Sequence, residues 1–333
     1  MNRLNPIAGF GLRSAHAVLS GKGAAGSLLI LILHRVLERH DPLQPDEPDA
    51  TQFAAQMDLI AELCTVLPLS EAVERLYAGT LPPRAACITF DDGYLNNLTV
   101  AAPIMRARGI PATVFVSTGY IGNGRMFNDT VIESVRRAGA ELDLSDLGLG
   151  RYTFADDRAR VRAIDQILTN VKHLEFDERL AKAAALEQRV GGALPTNLMM
   201  SEAQIRELHG LGIEIGAHTI THPILCRIDA AAARREIGAS REILQGITGA
   251  SIPLFAYPNG RPYDDYDGTH VEIVRSCGFA AAVSTAWGAA TRRSDRYQLP
   301  RLMPWDKTAL RFAARLLRAR RELSATAVPV PAN

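Results

Sequence analysis

Seven short apolar runs, separated by stretches with helical spacing, constrain the fold of this chain more than any other feature. The runs are 28–33, 85–90, 112–117, 213–217, 252–257, 279–284 and 299–303. Strands that are apolar on both faces and alternate with helices are typical of a parallel sheet. We therefore predict an α/β fold, and seven such units favour an irregular or incomplete (β/α) barrel over a long open sheet.

The segments between these runs carry the end signals of helices. Helices are predicted at 51–64, 70–78, 97–108, 202–210, 230–245, 269–276 and 307–322. Ser201 and Gln204 have the spacing of a capping box, and Gly109, Gly246 and Gly278 stand where a left-handed residue would end a helix. In a barrel of this type, we expect the chemistry at the carboxyl ends of the strands.

One interval interrupts the alternation and divides the chain into parts. Apolar residues recur there at helical spacing, namely Val161, Ile164, Ile167, Leu168, Val171 and Leu174. We predict a helical insertion at about 122–200, between two barrel strands, that shapes one wall of the cleft. The barrel itself is predicted over 26–305, with an N-terminal extension at 1–25 and a C-terminal basic helix and tail at 306–333.

Composition excludes some classes of protein. The 333-residue chain has a formal net charge of +1, which gives no electrostatic signal for nucleic acid. The four cysteines lack C-x-x-C spacing, so we expect buried thiols in a reducing compartment rather than a zinc knuckle or a disulfide framework. Polar and helix-breaking residues interrupt 4–21, so we predict no export signal and a cytoplasmic location.

The two ends of the chain carry weaker signals. Residues 1–24 and 324–333 are rich in small residues or proline, and we expect them to be poorly ordered. The stretch 310–323 carries five arginines among leucines and alanines. One interpretation is peripheral contact with an anionic membrane through this basic helix. The favoured interpretation is a helix that closes the fold and leaves a solvated basic face.

Two motifs at predicted strand ends carry the chemistry. Asp91 and Asp92 follow one apolar run, and His218 and His222, four residues apart, follow another. Adjacent carboxylates repel each other, so two of them at the end of a buried strand need a compensating cation. One Asp and two His form a common ligand set for a divalent metal, which leaves the other Asp free as a base. The pattern predicts a metal-dependent hydrolase; a non-haem iron oxygenase, which uses similar ligands, is the less favoured alternative.

The same two motifs resemble those of a known family. Residues 89–93 read T-F-D-D-G and residues 218–222 read H-T-I-T-H. In this order, within alternating β/α units, they resemble the first two motifs of the polysaccharide deacetylases of the NodB-homology, carbohydrate esterase family 4 type. The resemblance covers about residues 26–305, the insertion only loosely. It implies a NodB-like barrel and hydrolytic removal of acetyl groups from N-acetylated sugars.

The resemblance also implies roles for four residues. Asp91 matches the general base, and Asp92, His218 and His222 match the metal ligands. The chemistry is consistent with that assignment, because a bound cation makes water more acidic and polarises a carbonyl. A neighbouring carboxylate can then take the proton as water attacks. The ligand set favours zinc, although related enzymes also use other divalent ions.

A Y-P-N-G sequence that begins at Tyr257 resembles the Y-P-x-G motif of the family. The resemblance implies that the backbone N–H of Tyr257 helps to hold the oxyanion. The arginine that commonly precedes this motif and orients the base is absent, because Phe255 or Ala256 stands there. We predict that Arg301, in the last apolar run, orients Asp91 instead. An arginine in a surface or structural ion pair is an equally good explanation.

The sequence motifs identify the general acid less clearly than the base and the metal ligands. The usual late histidine is missing, since no His follows His270. His34, in L-H-R-V just after the first run, resembles the Y-H-R-V segment of members whose acid comes from the N-terminal strand. We predict that His34 protonates the departing nitrogen. The alternative is a histidine that only closes the barrel mouth.

The implied substrate is an N-acetylated glycan, either a polysaccharide or a lipid-linked oligosaccharide, and no nucleotide or organic cofactor is implied. The fourth and fifth family motifs are not legible, so a catalytically inactive sugar-binding or scaffold protein that retains the fold is a second hypothesis. Four aromatic residues are candidate platforms for a sugar ring, although single aromatics are more often packing. They are Tyr263, Tyr266, Trp287 and Trp305.

Overall fold

A computed structural model describes residues 6–122, 124–172, 174–304, 306–322 and 326–330. Nine strands and eleven α-helices lie within these ranges. The strands are β1 Leu29–Leu33, β2 Thr65–Val66, β3 Ala85–Phe90, β4 Thr113–Val116, β5 Glu141–Leu144, β6 Gly150–Thr153, β7 Glu214–Ala217, β8 Leu254–Ala256 and β9 Ala281–Val283.

The helices alternate with the strands of the main sheet. They are α1 Pro6–Ser20, α2 Ala50–Leu63, α3 Leu69–Ala78, α4 Ala102–Arg106, α5 Phe127–Arg137, α6 Asp157–Lys172, α7 Phe176–Val190, α8 Glu202–Gly210, α9 Ala230–Thr248, α10 Gly268–Ser276 and α11 Ala309–Arg321. A π-helical turn, Asn97–Ala101, leads directly into α4.

The main sheet is parallel and curls into a half-barrel, which confirms the predicted irregular (β/α) barrel. Its order is β1-β3-β4-β7-β8-β9, with β2 paired to β3. The predicted seventh strand at 299–303 is not a regular strand. Its Leu299 bridges Val283 of β9, and its Leu302 bridges Leu31 of β1. The segment therefore joins the two edges of the sheet through isolated bridges.

Most of the predicted helix ends are confirmed, and the exception has a clear cause. Ser201 and Gln204 form a reciprocal capping box at α8. Gly109 and Gly278 have positive φ values of 62° and 82°. The predicted end of α9 at Gly246 is wrong, because the helix continues to Thr248 and ends at Gly249, where φ is 67°. A single glycine inside a helix costs only about 1 kcal/mol, which packing easily offsets.

The predicted helical insertion lies between β4 and β7 and has its own apolar core. It contains α5, α6 and α7, and also an antiparallel hairpin of β5 and β6 that the sequence analysis missed. An ion pair between Arg35 and Asp129, with N–O distance 3.1 Å, joins α5 to the segment after β1. The insertion is therefore held against the barrel close to the ends of its strands.

The N-terminal prediction and part of the cysteine prediction are wrong. Residues 6–20, expected to be poorly ordered, form α1, which packs against α11 and α2. His16 of α1 is completely buried. Cys64 and Cys87 are buried as expected, but Cys226 is exposed.

The C-terminal helix α11 closes the fold. Phe312 and Leu316 on its apolar face are completely buried, so the face that a membrane would need packs against the protein. Arg320 is only 1% exposed, which corrects the expectation of a wholly solvated basic face. Within the ranges described above, no helix combines the length and the apolar character needed to cross a bilayer.

We expect Arg320→Met to lower the free energy of unfolding by about 2–4 kcal/mol. Arg320 donates hydrogen bonds to the carbonyls of Ser27 and Ala85, both at 3.1 Å, and to Nδ1 of His16 at 3.2 Å. Removing the guanidinium leaves these buried acceptors without a donor. Urea denaturation would measure the change. The control is Arg318→Met, because the Arg318 side chain is 75% exposed, and an equal loss in both variants would contradict the prediction.

Candidate active site

A cavity of about 640 Å³ opens at the carboxyl ends of the barrel strands. Its lining includes His34, Asp91, Asp92, His218 and His222. These residues come from three parts of the sequence and were expected to meet at this end of the barrel. The parallel arrangement of β1, β3 and β7 brings them together.

Asp92, His218 and His222 form a compact group of potential ligands. Oδ1 of Asp92 lies 3.6 Å from Nε2 of His218 and 3.6 Å from Nε2 of His222. The ligand atoms of the three residues all lie within 4.8 Å of one another. This arrangement leaves room for one ion between a carboxylate oxygen and two imidazole nitrogens.

The backbone around these ligands adopts conformations that non-glycine residues seldom use. Asp92, Thr219 and His222 have φ values of 76°, 63° and 55°. Such left-handed conformations are unfavourable for these residues and persist where the surrounding structure enforces them. Arg84, Asn259 and Tyr263 also have positive φ, so such conformations are concentrated in the turns that deliver the potential ligands but are not confined to them.

Glu236, on α9, holds the turn that contains His222, and the sequence analysis missed it. Its carboxylate accepts hydrogen bonds from the backbone N–H groups of Ile220 and Thr221, at 2.8 and 2.9 Å. The Thr221 hydroxyl donates a third, at 2.8 Å. The sequence gives no local signal for this role, because Glu236 looks like any polar residue of an amphipathic helix.

The two histidines are arranged as neutral ligands. Nδ1 of His218 lies 2.7 Å from the carbonyl oxygen of Ala256, which can only accept, so Nδ1 carries the proton. Nε2 of His218, on the side of Asp92, then keeps a free lone pair that can bind a metal ion. Burial, followed by the charge of His218, lowers the pKa of His222 well below its usual value.

The surroundings of Asp92 are those of a carboxylate that can bind a cation. Its Oδ1 is buried and has no hydrogen-bond partner among the described residues. Burial is the main effect that raises the pKa of Asp92, and the adjacent charge of Asp91 adds to it. A bound divalent ion would satisfy this oxygen, so the residues present fit a metal.

Asp91 is paired with Arg301 in a buried ion pair. Nη1 and Nη2 of Arg301 each donate to one oxygen of Asp91, both at 2.7 Å. Arg301 is 1% exposed and is fixed by the carbonyl of Ser284, 2.9 Å from its Nε. Burial works to raise the pKa of Asp91, but the charge of Arg301 and then that of His218 lower it to about 2. The burial of Arg301 excludes a surface ion pair, whereas a structural ion pair and the predicted role of orienting Asp91 both fit this geometry.

The structure contradicts the expected oxyanion role of Tyr257. Its backbone N–H donates to the carbonyl of Val283 at 3.2 Å, within the sheet, and its ring is buried against Tyr266. Asn259, two residues further on, lines the cavity and has φ of 57°. In the part of the chain that the structure covers, the Asn259 N–H has no hydrogen-bond partner. Asn259 is therefore the better placed donor.

His34 lies in the cavity beside the acidic pair. Its backbone carbonyl accepts from the Asn97 side chain at 3.0 Å, which fixes the chain just after β1. Glu47, also in the cavity lining, was not singled out by the sequence. Burial raises the pKa of Glu47, and the nearby charge of His34 opposes that change.

Residues of the insertion line the cavity. Asp129 of α5, Lys172 of α6 and Arg179 of α7 all line it. The three described aromatic candidates do not contribute in this way. Tyr266 is buried, Tyr263 and Trp287 are not among the lining residues, and Trp305 lies outside the described residues.

We expect the stability of metal-free protein to depend on Asp91 at low pH. The pKa of Asp91 in the fold, about 2, lies below the ordinary value of 3.8, so ionised Asp91 stabilises the fold. This contribution, about 2 kcal/mol, is fully present above pH 4 and is lost as the pH falls toward 2. Urea denaturation of EDTA-treated protein should show this loss in the wild type and not in Asp91→Asn.

Asp58→Asn is the matched control for that experiment. Asp58 pairs with Arg108 at the surface, and its side chain is 49% exposed. The control should retain the pH dependence of the wild type, since exposed pairs contribute little. Identical slopes in the wild type and in Asp91→Asn would contradict the prediction.

Comparison with known proteins agrees with the fold. A family model described as polysaccharide deacetylase matches residues 78–145 and 178–282, just over half of the chain. Both acidic and histidine motifs lie in these ranges, whereas His34 and Arg301 lie outside them. A curated relative, the putative polysaccharide deacetylase YxkH of Bacillus subtilis (strain 168), is 26% identical over 113 residues. That match covers 34% of this chain and 39% of the relative, so the chain spans about two fifths of its length.

Two solved structures share the fold over nearly their whole length. The Streptococcus pyogenes deacetylase PplD, in complex with acetate, has a TM-score of 0.58 at 18% identity and covers 88% of this chain and 98% of its own. IcaB from Ammonifex degensii has a TM-score of 0.58 at 20% identity and covers 90% of this chain and 98% of its own. The similarity to these two structures shows the fold alone. With the matching family model, they show that the chain belongs to the polysaccharide deacetylase family.

Proposed function

We propose that the protein is a metal-dependent deacetylase that releases acetate from N-acetylated sugars of a polysaccharide or of a lipid-linked glycan precursor. One observation carries the proposal. Asp92, His218 and His222 converge in a cavity directly beside Asp91, whose two oxygens are held by Arg301. An inactive scaffold would gain nothing from strained ligand turns and an unsatisfied buried carboxylate oxygen.

Asp92, His218 and His222 are the proposed ligands, and the mixture of one carboxylate and two imidazoles favours zinc. A divalent ion bound there would make a water molecule more acidic and would polarise the carbonyl of the acetamide. Glu236 keeps the His222 turn in place through three hydrogen bonds. The carbonyl of Ala256 fixes the ring of His218 in the tautomer that a ligand requires.

Asp91 is the proposed general base. Arg301 keeps Asp91 ionised and fixes the plane of its carboxylate, so its remaining lone pairs can accept a proton from the attacking water. Oδ2 of Asp91 lies 3.9 Å from Nε2 of His218, so the base borders the ligand group without joining it. The adjacent Asp92 points to the two histidines instead. The two neighbouring carboxylates thereby take different roles.

Asn259 and His34 complete the proposed site. The N–H of Asn259 would donate to the oxygen that becomes negative when the acetamide is attacked. His34, with its imidazole at the cavity, would give a proton to the departing amine. Both roles are proposals for this chain. They place a donor on the loop after β8 and an acid after β1.

The proposed function predicts acetate release that depends on metal and on Asp91. Acetate would be assayed over a panel of N-acetylated oligosaccharides, with metal content measured on the same samples. We expect EDTA to abolish release and a divalent ion to restore it. Asp91→Asn should lower turnover by about 10²- to 10⁴-fold and retain the metal, since it removes only the base.

Two further variants make this test specific. Asp92→Ala should lose the metal itself, whereas the surface variant Asp58→Asn should behave as the wild type. Absence of acetate release from every glycan, by protein that carries its metal, would contradict the proposed function. Release that survives in Asp91→Asn would contradict the role of the base.

We expect His34→Ala to lower turnover of N-acetylated sugars by about 10²-fold or more, at unchanged metal content. An activated aryl acetate, whose leaving group needs no proton, should be hydrolysed almost as fast as by the wild type. His40→Ala is the matched control, because His40 is exposed and lies outside the cavity lining. Unchanged turnover of N-acetylated sugars in His34→Ala would remove His34 from the mechanism.

A further inference from the structure

Arg179, on α7 of the insertion, is a buried cation without a counter-charge. Its residue is 3% exposed, and it lines the cavity. The rings of Phe127 and Phe176 flank its guanidinium, with centroids 4.4 and 5.6 Å away. Over the described part of the chain it has no ion pair, and its buried Nε has no hydrogen-bond partner.

This isolation is costly, and other buried arginines of the protein avoid it. Arg35 lies 3.1 Å from Asp129, and Arg301 makes two hydrogen bonds to Asp91. Arg320 donates to backbone carbonyls. A buried charge without a partner costs several kcal/mol. Contact with two aromatic rings recovers only part of that cost, about 0.5–2 kcal/mol for each cation–π contact.

Two more basic residues share the cavity with Arg179. Lys172 of α6 and Arg261, after β8, both line it, and the carboxylate of Asp265 is the acid whose charge acts on both of them. Lys172 and Arg179 also border a small adjoining pocket with Pro223, the residue after His222. The basic wall therefore reaches the ligand group. Acids lie nearby as well: Glu47 and Asp129 have Arg35 beside them, Asp165 of α6 lines the same cavity, and Glu175 borders the adjoining pocket.

We propose that the substrate carries an anionic group, a phosphate or a carboxylate, and that Arg179, assisted by Lys172 and Arg261, binds it. This inference rests on the proposed function and narrows its substrate to an acidic glycan. The planar guanidinium can donate two parallel hydrogen bonds to either anion. A phosphate would come from a glycosyl phosphate, as in a lipid-linked sugar, and a carboxylate from a uronic acid in the polymer.

Binding measurements test the inference without turnover. Calorimetry on the protein as purified would compare N-acetylglucosamine 1-phosphate, a disaccharide of N-acetylglucosamine and glucuronic acid, and neutral methyl N-acetylglucosaminide. We expect one of the two anionic probes to bind more tightly than the neutral one, which identifies the source of the charge. Arg179→Gln should weaken that probe about ten- to a hundredfold and leave the neutral probe unchanged.

Two controls separate this role from a structural one. Arg189→Gln, on the same helix, removes an exposed arginine that pairs with Asp146, and it should keep the preference. Because Arg179→Gln removes an unpaired buried charge, its melting temperature should equal or exceed that of the wild type. Arg179→Lys should retain part of the preference. Equal affinity of the wild type for charged and neutral probes, or equal weakening of all probes in Arg179→Gln, would overturn the inference.

Acetate release distinguishes failure of this inference from failure of the proposed function. If neutral and anionic glycans are deacetylated with equal kcat/KM, and Arg179→Gln changes neither value, the anion site is wrong and the deacetylase stands. If no glycan is deacetylated but the Arg179-dependent preference persists in calorimetry, the anion site stands and the proposed reaction is wrong. A preference in kcat/KM that Arg179→Gln abolishes supports both.

Discussion

The buried ion pair of Asp91 and Arg301 is the interaction on which the site depends. Two adjacent carboxylates at the end of a buried strand repel each other, and the protein resolves this by giving them different partners. Arg301 comes from the segment that bridges β9 and β1, so the segment that joins the two edges of the sheet also supplies the cation paired with Asp91. Asp92, left with two imidazoles and a buried free oxygen, is then suited to a cation. The geometry of the fold therefore assigns the two neighbouring residues their separate chemistry.

The same ion pair explains how the chain can lack the arginine that commonly precedes the third family motif. Phe255 stands in that region and packs on Tyr257 and Phe279, each with ring centroids 5.2 Å away, so its position serves the core. In the barrel the order is β8, β9 and then the 299–302 segment. A guanidinium from that segment reaches Asp91, and the carbonyl of Ser284 fixes it. If Asp91 acts as the proposed base, a positive charge beside it is the requirement, and a barrel allows more than one strand to supply that charge.

Much of the fold was predictable because apolar runs and helix ends are local signals. The acidic pair and the two histidines were predictable for a related reason, since strand ends of a parallel barrel share one edge. The failures all concern tertiary contacts. Helix α1 depends on burial of His16 against Arg320, which no local pattern shows. Likewise, the occupied N–H of Tyr257 and the free N–H of Asn259 follow from strand register and a positive φ, and neither is visible in a motif.

The cavity combines two walls of different origin and charge. The barrel supplies the acidic pair and the histidines, all within the ranges that match the family model, whereas Lys172 lies in the interval between those ranges. The rings of Phe127 and Phe176, both in the insertion, flank the guanidinium of Arg179. This wall can therefore hold a cation without contacts from the barrel. Lys172 and Arg179 belong to the insertion, whereas Arg261 and the proposed reacting groups belong to the barrel. Under the proposed function, a change in the insertion would alter the glycan that binds and leave the proposed reacting groups in place. The buried charge of Arg179 lowers the stability of the free protein. An anionic substrate would offset this cost when it binds.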